Sequence, residues 1–464
     1  MPMYDVIVIG AGPAGLSAAA KASELGLSVA VVDEQTTPGG QIYRNLERSQ
    51  PGITKRLGAS YLKGQPIISR ARSSAADFYL TSTVWDLSSD LNVTLLQAGK
   101  TRQLQGRQII AATGAMERAS PVPGWTLPGM MTAGAAQIAL KSAGSIPSGK
   151  VVIAGCGPLL LLVACQLLDA GATISAVVET APAENLKAAL PHLPQALGAP
   201  AYLARGLGFL ANLRLSGVPW YKQAESLSVE GADRVRAVTF SADGRDTRID
   251  ADTVLLHHGV VPNTQLSRLL RIDHDWSETQ LAWHPRVDQW GATSLAGFRI
   301  AGDGAAISGA IAAEASGELA ALGAAHDLGR LTGTELEAQA RKPLRKLSAE
   351  RRIRPFLDAL YRPPASVLLP DNDTVVCRCE EVTAGQIRAM VPLGCRGPSQ
   401  TKFFSRCGMG PCQGRMCGLT VTMLLADALG ARAGEVGAFR VRAPLKPVPL
   451  EAIASLASDA GLHS

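Results

Sequence analysis

The amino-acid sequence predicts an α/β protein with two parallel-sheet folds and a small helical domain towards its C-terminal end. Two stretches, one starting at Tyr4 and the other at Gly149, each read as an apolar strand, a glycine-rich turn, a helix and a second apolar strand. The helical domain is indicated by its cysteines, because six of the eight lie between residues 377 and 417. A chain of 464 residues has room for about three domains of ordinary size.

Charge and hydropathy exclude two classes of protein. The 45 basic and 39 acidic residues give a net charge of +6 without long blocks of one sign, so no nucleic-acid partner is expected. The longest apolar stretch, from Pro158, is shorter than the roughly 18 residues of a membrane span and is interrupted at Asp169. No membrane span is therefore expected.

The N-terminus enters a strand pattern at once, without the features of a secretory signal. The sequence therefore predicts a cytoplasmic protein, with a peripheral position at the inner membrane left open. In a reducing compartment, clustered cysteines are interpreted as metal or redox ligands before structural disulfides.

The first glycine-rich turn has the spacing of a dinucleotide-binding, Rossmann-like fold. Gly10 permits the tight turn, Gly12 lets the backbone approach a pyrophosphate, and Gly15 lets helix and strand pack closely. The helix N-terminus favours the negative charge of a diphosphate. Asp33, or Glu34 as the alternative, is expected to hydrogen-bond the adenosine ribose. The predicted contacts are Gly10, Gly12, Pro13, Ala14, Gly15, Asp33, Glu34 and Gln35.

Three later features favour FAD over NAD at this site. A glycine pair at 39–40 allows a second close backbone approach, and two further strands end in Thr-Gly and Gly-Asp. This combination resembles the two-dinucleotide-domain flavoprotein superfamily over the first 330 residues. The resemblance implies FAD, with the ribityl chain bound by the aspartate and the flavin ring near the helix that follows. The further predicted contacts are Gly40, Gln41, Thr113, Gly114, Gly302 and Asp303.

The second glycine-rich turn departs from the pattern, because Leu160 stands where the third glycine belongs. Either NAD(P)H binds here and reduces the flavin, or the fold is a scaffold without a nucleotide, and the missing close packing favours the scaffold. His257 and His258 are expected as one core histidine and one facing a polar layer. The only cysteines before residue 377, Cys156 and Cys165, make no redox pair beside a flavin, so disulfide reductase chemistry is not expected.

These motifs divide the chain into four parts. An FAD-binding domain is expected at 1–120 and 265–330, with an NAD(P)-type dinucleotide domain inserted at 121–264. A basic, partly helical linker is expected at 331–372, interpreted as a solvated helix face or, alternatively, as a docking surface for a partner protein chain of the same complex. The last part, 373–464, holds the cysteine domain and a tail.

The cysteine spacing predicts a [2Fe-2S] domain. Cys377 and Cys379 form C-x-C, 32 residues separate Cys379 from Cys412, and four separate Cys412 from Cys417. This resembles the helical domain first known from bacterioferritin-associated ferredoxin, and the resemblance implies that these four cysteines hold a [2Fe-2S] cluster. Two alternatives stay open: Cys407 could replace Cys417, or the same four thiolates could hold structural zinc.

Neighbouring residues are expected to support this site. Thr383 is predicted to cap a helix beside the cysteines. Three arginines close in sequence are expected to offset the negative charge of a cluster, namely Arg378, Arg406 and Arg415.

Phrases spread over the chain resemble one narrower family: GGQIYR at 39–44, IAGDGAAISGA at 300–310, CRCEEVT at 377–383 and GMGPCQGRMCG at 408–418. They are similar to the FAD-dependent large (alpha) subunits of heteromeric bacterial amine dehydrogenases. That group includes D-hydroxyproline dehydrogenase, octopine and nopaline oxidases, and cyanide-forming glycine dehydrogenase.

The resemblance implies an electron-transferring subunit. A smaller FAD-containing, amine oxidase-like (beta) subunit would oxidise the amine; some relatives add a small ferredoxin-like subunit or hold FMN at the subunit interface. Electrons would pass through the flavin and cluster towards the respiratory chain, with D-hydroxyproline as the first candidate substrate and opines or glycine as alternatives. No residue is assigned as a catalytic base. Two other hypotheses stay open, a stand-alone NAD(P)H-dependent reductase and a non-enzymatic subunit that holds ADP or ATP together with zinc.

Overall fold

The first of two large sheets contains seven strands in the computed structural model, which describes residues 1–459. The strands are β1 (Met3–Ile9), β2 (Val29–Val32), β3 (Asp77–Tyr79), β4 (Ser82–Leu87), β5 (Asn92–Gln97), β6 (Lys100–Ala111) and β19 (Phe298–Ile300). Their order is β3-β2-β1-β6-β5-β4, and β19 also pairs with β6. β1 is parallel to both of its neighbours, whereas β4, β5 and β6 form an antiparallel meander.

Both faces of the first sheet are covered, as the continuous apolar run of β1 predicts for a buried parallel strand. Val6 and Val8 belong to one core, and Ile7 and Ile9 belong to the other. On the first face, α1 and α11 pack against each other, and on the second face the C-terminal tail contributes to the core. The helices on this fold are α1 (Pro13–Glu24), α2 (Pro51–Leu57), α3 (Ala59–Leu62), α4 (Gln65–Arg72) and α11 (Ala310–Asp327).

The second large sheet is fully parallel and lies between two connecting strands. Its strands are β8 (Met130–Thr132), β9 (Val151–Cys156), β10 (Ile174–Glu179), β11 (Trp220–Tyr221) and β15 (Thr253–His258), in the order β11-β10-β9-β15-β8. A three-stranded antiparallel sheet follows, made of β12 (Glu225–Glu230), β13 (Ala237–Ala242) and β14 (Arg245–Asp250). The chain enters and leaves this fold through an antiparallel pair, β7 (Ala115–Glu117) and β16 (Val260–Pro262).

Five helices accompany the second sheet, and a hairpin follows it. The helices are α5 (Ala133–Ala143), α6 (Pro158–Asp169), α7 (Glu184–Ala189), α8 (Leu193–Ala196) and α9 (Pro200–Leu215). After β16 come α10 (Gln265–Leu269) and the hairpin of β17 (His274–Ser277) and β18 (Ala282–Pro285).

The region predicted as a linker is mostly helical. It contains α12 (Gly333–Arg351), α13 (Arg354–Leu360) and α14 (Ala365–Leu368). α12 begins at a capping box in which the Thr332 hydroxyl accepts from Glu335 N (3.3 Å) and the Glu335 carboxylate accepts from Thr332 N (2.8 Å). α13 packs on α7 and α8 of the second fold.

The cysteine domain is small and helical, as predicted. It consists of β20 (Val375–Cys377), β21 (Val382–Thr383), α15 (Ala384–Ala389), α16 (Pro398–Ser405), α17 (Gly418–Leu429) and α18 (Ala433–Val436), and α19 (Leu450–Asp459) follows in the tail. The predicted cap at Thr383 is confirmed, because its hydroxyl accepts from Gln386 N and the Gln386 side chain accepts from Thr383 N. Within residues 1–459, no helix combines the length and the apolar character that crossing a membrane requires.

Candidate functional site

The first glycine-rich turn joins β1 to α1 with the geometry that its spacing predicts. At Gly10, φ is 107°, and a Cβ would lie 2.4 Å from the Ala112 carbonyl oxygen. At Gly15, a Cβ would lie 1.8 Å from the Gly10 carbonyl oxygen, so helix and strand meet at a distance that only glycine allows. Pro13 occupies the first turn of α1, where its missing N–H costs no helical hydrogen bond.

Two other predicted contact segments meet the N-terminus of α1. A Cβ on Gly40 would lie 2.7 Å from the Gly12 Cα, so the 39–41 loop lies directly against the glycine-rich turn. A Cβ on Gly302 would lie 2.8 Å from the Ala14 Cβ. The structure therefore surrounds the helix N-terminus, where an anion is favoured, with backbone that can be approached closely.

The third predicted segment meets the short 3₁₀ turn that contains Asp303. A Cβ on Gly304 would lie 3.4 Å from Thr113 Oγ1, which brings the end of β6 to this turn. Asp303 Oδ1 accepts from Ser308 N (2.8 Å) and Gly309 N (3.0 Å). The carboxylate thereby fixes the loop that leads into α11.

The acidic residues after β2 have different partners. Asp33 Oδ2 accepts from Ala11 N (2.5 Å), and its Oδ1 accepts from Gln35 N (2.7 Å), so this carboxylate holds the glycine-rich turn. Burial raises the pKa of Asp33, and these two hydrogen bonds oppose the rise. Glu34 instead forms an ion pair with Lys446 of the tail. Of the two acids, Asp33 is the one that lies at the turn, and its contact with a ribose stays a prediction.

A buried lysine that the sequence did not single out supports the predicted contact residue Gln41. Lys141 of α5 is 3% exposed, and its Nζ donates to the Gln41 carbonyl oxygen (3.0 Å) and to Gln137 Oε1 (2.8 Å). Arg44 donates to Gln41 Oε1 (2.9 Å). Burial lowers the pKa of Lys141 to about 7. The available signal was the spacing of Gln137 and Lys141, four residues apart in an alanine-rich helix.

The second glycine-rich turn is covered by the chain itself. Tyr361, directly after α13, has its carbonyl oxygen 3.5 Å from the Sγ of Cys156, which lies within the turn. Asn185 of α7 holds this segment, because its Nδ2 donates to the carbonyl oxygens of Leu360 (3.2 Å) and Arg362 (2.9 Å). Sequence reasoning missed this contact, which joins residues far apart in the chain.

Two further features of this turn differ from the first. Leu160, at the third glycine position, is 1% exposed, so its side chain fills the space between helix and sheet. Glu179, the acid that ends β10, lies near Tyr361. Burial raises the pKa of Tyr361 to about 12, and the negative charge of Glu179 adds to the rise.

Both histidines of β15 are buried. His258 is the predicted core histidine: its Nε2 contacts Thr180 Oγ1 (3.0 Å), and burial lowers its pKa to about 3. His257, which was expected to face a polar layer, is 2% exposed, and its Nδ1 contacts Glu117 Oε1 (2.7 Å). The burial follows from the position of β15, which lies between β9 and β8 in the sheet.

The cysteine domain brings five thiols together in two groups. The sulfurs of Cys377, Cys407 and Cys417 lie within 4.8 Å of one another, and all three residues are buried. Hydrogen bonds with Cys407 and Cys417 lower the pKa of Cys377 to about 2. Cys379 and Cys412 are neighbours in the second group, where burial raises the pKa of Cys379 and a hydrogen bond with the Cys412 side chain adds to the rise.

This donor set fits a metal centre. Thiolates are the ligands that iron–sulfur clusters and zinc share, and all eight cysteines of the chain are free. The loop approaches Cys379 closely, since a Cβ on Gly410 would lie 2.1 Å from the Cys379 Cβ. The four predicted cysteines would hold a cluster as two neighbouring pairs, Cys377 with Cys417 and Cys379 with Cys412.

The three nearby arginines have different partners. Arg415 donates to the Cys412 carbonyl oxygen (3.3 Å) and lies at the site. Arg406 pairs with Glu380 (2.9 Å), and Arg378 lies over an indole ring with 5.1 Å between the guanidinium carbon and the ring centroid. Of the three, Arg415 alone contacts the backbone of a predicted ligand.

Several hydrogen bonds hold the cysteine domain against the nucleotide folds. Arg415 donates to the Leu445 carbonyl oxygen, and Leu445 N donates to Trp85 O on the first sheet (2.7 Å). The indole N–H of Trp125 donates to the Val375 carbonyl oxygen (2.5 Å). The ligand loop is therefore fixed relative to the first fold.

Comparisons with known proteins agree with this geometry. Residues 4–326 match the family described as pyridine nucleotide-disulphide oxidoreductase, and residues 372–457 match the sarcosine oxidase A3 domain. A solved structure, L-proline dehydrogenase from P. horikoshii, superposes with a TM-score of 0.70 over 97% of this chain and 79% of that chain. At 18% identity this likeness shows the fold alone. Fold and family together define an FAD-dependent oxidoreductase, and the predicted fold class is confirmed.

Two curated relatives narrow the class. The large subunit of opine oxidase from Agrobacterium tumefaciens is 45% identical over 467 residues, which cover 98% of this chain and 92% of that protein. Hydrogen cyanide synthase subunit HcnB from Pseudomonas aeruginosa is 32% identical, with 98% and 99% covered. The chain belongs to the family of FAD-dependent large subunits of heteromeric bacterial amine dehydrogenases.

Proposed function

We propose that this chain is the electron-relaying subunit of a heteromeric amine dehydrogenase and receives electrons from a smaller FAD-containing subunit that oxidises the amine. The observation that carries the proposal is that one chain combines the glycine-lined site at α1 with a cysteine loop fixed against the same fold. FAD exchanges two electrons at once, and a [2Fe-2S] cluster exchanges one at a time. The pair would turn an amine oxidation into single-electron steps.

The residues proposed to hold the two groups are those that the structure brings together. The N-terminus of α1 would bind the FAD diphosphate, with Gly12 and Gly40 allowing its close approach. Asp303, ordered by two backbone N–H groups, would bind the ribityl chain. The [2Fe-2S] cluster would be held by Cys377, Cys379, Cys412 and Cys417.

A cleft between the first fold and the cysteine loop supports electron transfer within the chain. Arg268 and Trp283 line one wall, and residues 413–415 line the other. Asn263, close to the first wall, donates its N–H to the Gly114 carbonyl oxygen (3.0 Å). The cleft thus extends from the proposed flavin contacts to the proposed cluster ligands.

We also propose that the second nucleotide fold is a scaffold and that NAD(P)H is not the electron source. A nucleotide diphosphate would need free access to the backbone of the second glycine-rich turn. Tyr361 lies against that turn at Cys156, and Asn185 holds it there. Leu160 adds support, because its buried side chain replaces the glycine that the cofactor geometry requires.

The proposed substrate is a secondary amine whose neighbouring carbon carries a carboxylate. D-hydroxyproline and opines both have this chemistry, and three large subunits of opine oxidases at 42–45% identity support the opine as strongly as the imino acid. Glycine, suggested by the cyanide synthase relative, is a third arm of the test. A small ferredoxin-like subunit, an interfacial FMN and a respiratory acceptor complete the proposed complex.

The test is anaerobic reduction of the purified chain, alone and together with its co-expressed smaller subunit. NADH and NADPH are expected to leave the flavin spectrum of the isolated chain unchanged. In the complex, D-hydroxyproline or an opine is expected to bleach the flavin and then reduce the cluster. Metal analysis is expected to give about two iron and two sulfide per chain.

Cys412→Ala provides the matched control. It is expected to leave amine-dependent flavin reduction in place and to abolish the reduction of a one-electron acceptor. Prompt bleaching of the isolated chain by NADH would instead support the reductase. Zinc without iron, or a colourless preparation, would contradict the proposal and support the non-enzymatic subunit.

A further inference from the structure

The cysteine domain contains one thiol more than a [2Fe-2S] cluster needs. Such a cluster takes four cysteine ligands, two on each iron. The structure gathers five, because Cys407 is fully buried beside Cys377 and Cys417. The sixth cysteine of the domain, Cys395, is engaged elsewhere through its contact with the Gly397 carbonyl oxygen (3.6 Å).

The two groups of thiols are not equivalent. Cys379 and Cys412 form a pair at the more exposed side of the loop. Within residues 1–459, Cys377, Cys407 and Cys417 are the sole group of three potential ligands within 4.8 Å of one another. A tetrahedral metal with metal–sulfur bonds of about 2.3 Å holds two sulfurs on the order of 4 Å apart. Any two of the three buried thiols are therefore close to the spacing that one iron requires.

The backbone presents Cys407 and Cys417 from the two ends of one loop that packs on a single ring. A Cβ on Gly408 would lie 2.6 Å from Phe439 Cζ, and a Cβ on Gly414 would lie 2.5 Å from Phe439 Cδ2. Cys407 is also held by Thr401, whose hydroxyl donates to the Cys407 carbonyl oxygen (3.5 Å). The third thiol is thus fixed beside the other two.

We propose that Cys407 is a reserve ligand for the buried iron of the cluster. This inference rests on the proposed iron–sulfur function. When Cys417 is absent, the Cys407 thiol releases its proton to solvent and its thiolate takes the vacated coordination position, with no change in the oxidation state of iron or sulfur. The exposed pair has no such reserve, so the two halves of the cluster differ in their tolerance to ligand loss.

The experiment compares single and double alanine variants of the full chain by iron and sulfide content, visible circular dichroism and the electron paramagnetic resonance of the reduced protein. Cys412→Ala is expected to lose the cluster, with iron falling about tenfold or more, since a ligand is removed without replacement. Cys417→Ala is expected to keep at least about half of its iron, with a shifted resonance signal, and Cys407→Ala/Cys417→Ala is expected to lose it. Cys407→Ala and Cys395→Ala are expected to match the unmodified chain. Bound FAD reports that each variant is folded.

A Cys417→Ala protein that keeps its FAD but loses iron as completely as Cys412→Ala would overturn this inference, and so would loss of iron from Cys407→Ala alone. Cys417→Ser offers a second variant of nearly native size with the same expected result. Zinc in place of iron in the unmodified chain would be a failure of the proposed function itself, and it is visible before any variant is made.

Discussion

Two glycines of the first turn have different physical roles. Gly15 is required by packing alone, because a Cβ there would lie 1.8 Å from the Gly10 carbonyl oxygen. Gly12 has an ordinary φ of −78°, and the nearest atom to its Cβ would be 3.7 Å away. The protein itself could therefore accept a side chain at residue 12, and the glycine there is explained by a ligand that approaches the backbone.

Replacing each glycine by alanine separates these roles. Gly15→Ala is expected to lower the melting temperature, since overpacking of this kind costs about 1–3 kcal/mol. Gly12→Ala is expected to leave the melting temperature of the FAD-free protein unchanged and to weaken FAD binding by about tenfold or more, which corresponds to about 1.4 kcal/mol. Differential scanning fluorimetry and FAD titration measure both. Unchanged FAD affinity in Gly12→Ala would contradict the proposed site.

Lys141 predicts a pH dependence of stability. Its pKa of about 7 in the folded protein lies below the value of about 10.4 in unfolded chains, so the unfolded state binds more protons between these limits. Stability from this group therefore rises as the pH rises through that window, and the full penalty for charging the lysine applies below pH 7. Lys141→Met removes this dependence.

The melting temperature of the unmodified chain, relative to Lys141→Met, is expected to rise by about 2–4 °C for each kcal/mol gained between pH 7 and pH 9.5. Thermal unfolding of both proteins at several pH values measures this difference. Lys63→Met, at an exposed position, is the control and is expected to show no such trend. A constant difference between the unmodified chain and Lys141→Met would contradict the assignment.

At the scale of helices and strands, the linker region combines one predicted and one unexpected feature. The basic side chains of α12, among them Arg341, Lys342 and Arg345, are exposed, as a solvated helix face predicts. α13 is different, because it packs on the second nucleotide fold and leads Tyr361 onto the glycine-rich turn. One part of the linker is thus a cover for a site and not a simple connection.

Asn185 is expected to be the main fastener of this cover. Asn185→Ala removes hydrogen bonds to two carbonyl groups, each worth about 0.5–1.5 kcal/mol. Trypsin is expected to cleave the linker near Arg362 several times faster in the variant. Lys187→Ala, an exposed change on the same helix, is the control and is expected to behave as the unmodified chain. Equal cleavage rates in all three proteins would show that the contact does not hold the segment.

For the whole molecule, the C-terminal tail is the structure that joins the two proposed redox sites. Val441 and Leu445 are buried in the core of the first sheet, and Arg415 of the cysteine loop donates to the Leu445 carbonyl oxygen. Lys446 pairs with Glu34 next to the first glycine-rich turn. The pair itself is exposed and adds little stability, so the apolar contacts are expected to dominate.

Leu445→Ala is expected to release this tail. Loss of a buried leucine costs about 2–5 kcal/mol, and the cleft between the flavin site and the cysteine loop is expected to widen. FAD and iron contents should remain near those of the unmodified chain, while stopped-flow measurement shows slower reduction of the cluster by the reduced flavin. Leu450→Ala, where the leucine is 81% exposed, is the control. An unchanged transfer rate in Leu445→Ala would contradict a role for the tail in fixing the distance.

Most of the architecture could be predicted because its signals are local. The turn at Gly10, the helix that starts at Pro13 and the cap at Thr383 each depend on residue types within a few positions. The burial of Lys141 could not be read in the same way, since it depends on the 39–41 loop about 100 residues away. The same holds for His257, which the neighbouring strands of the second sheet cover.

The sequence by itself determined two nucleotide folds, one intact glycine pattern and a thiol-rich loop, because strand, turn and helix preferences act over short stretches of chain. The tertiary structure decided that Tyr361 covers the second turn, 205 residues from its contact Cys156, and that Cys407 joins Cys377 and Cys417. Contacts between distant residues depend on how whole helices and sheets pack, and no local spacing encodes that packing.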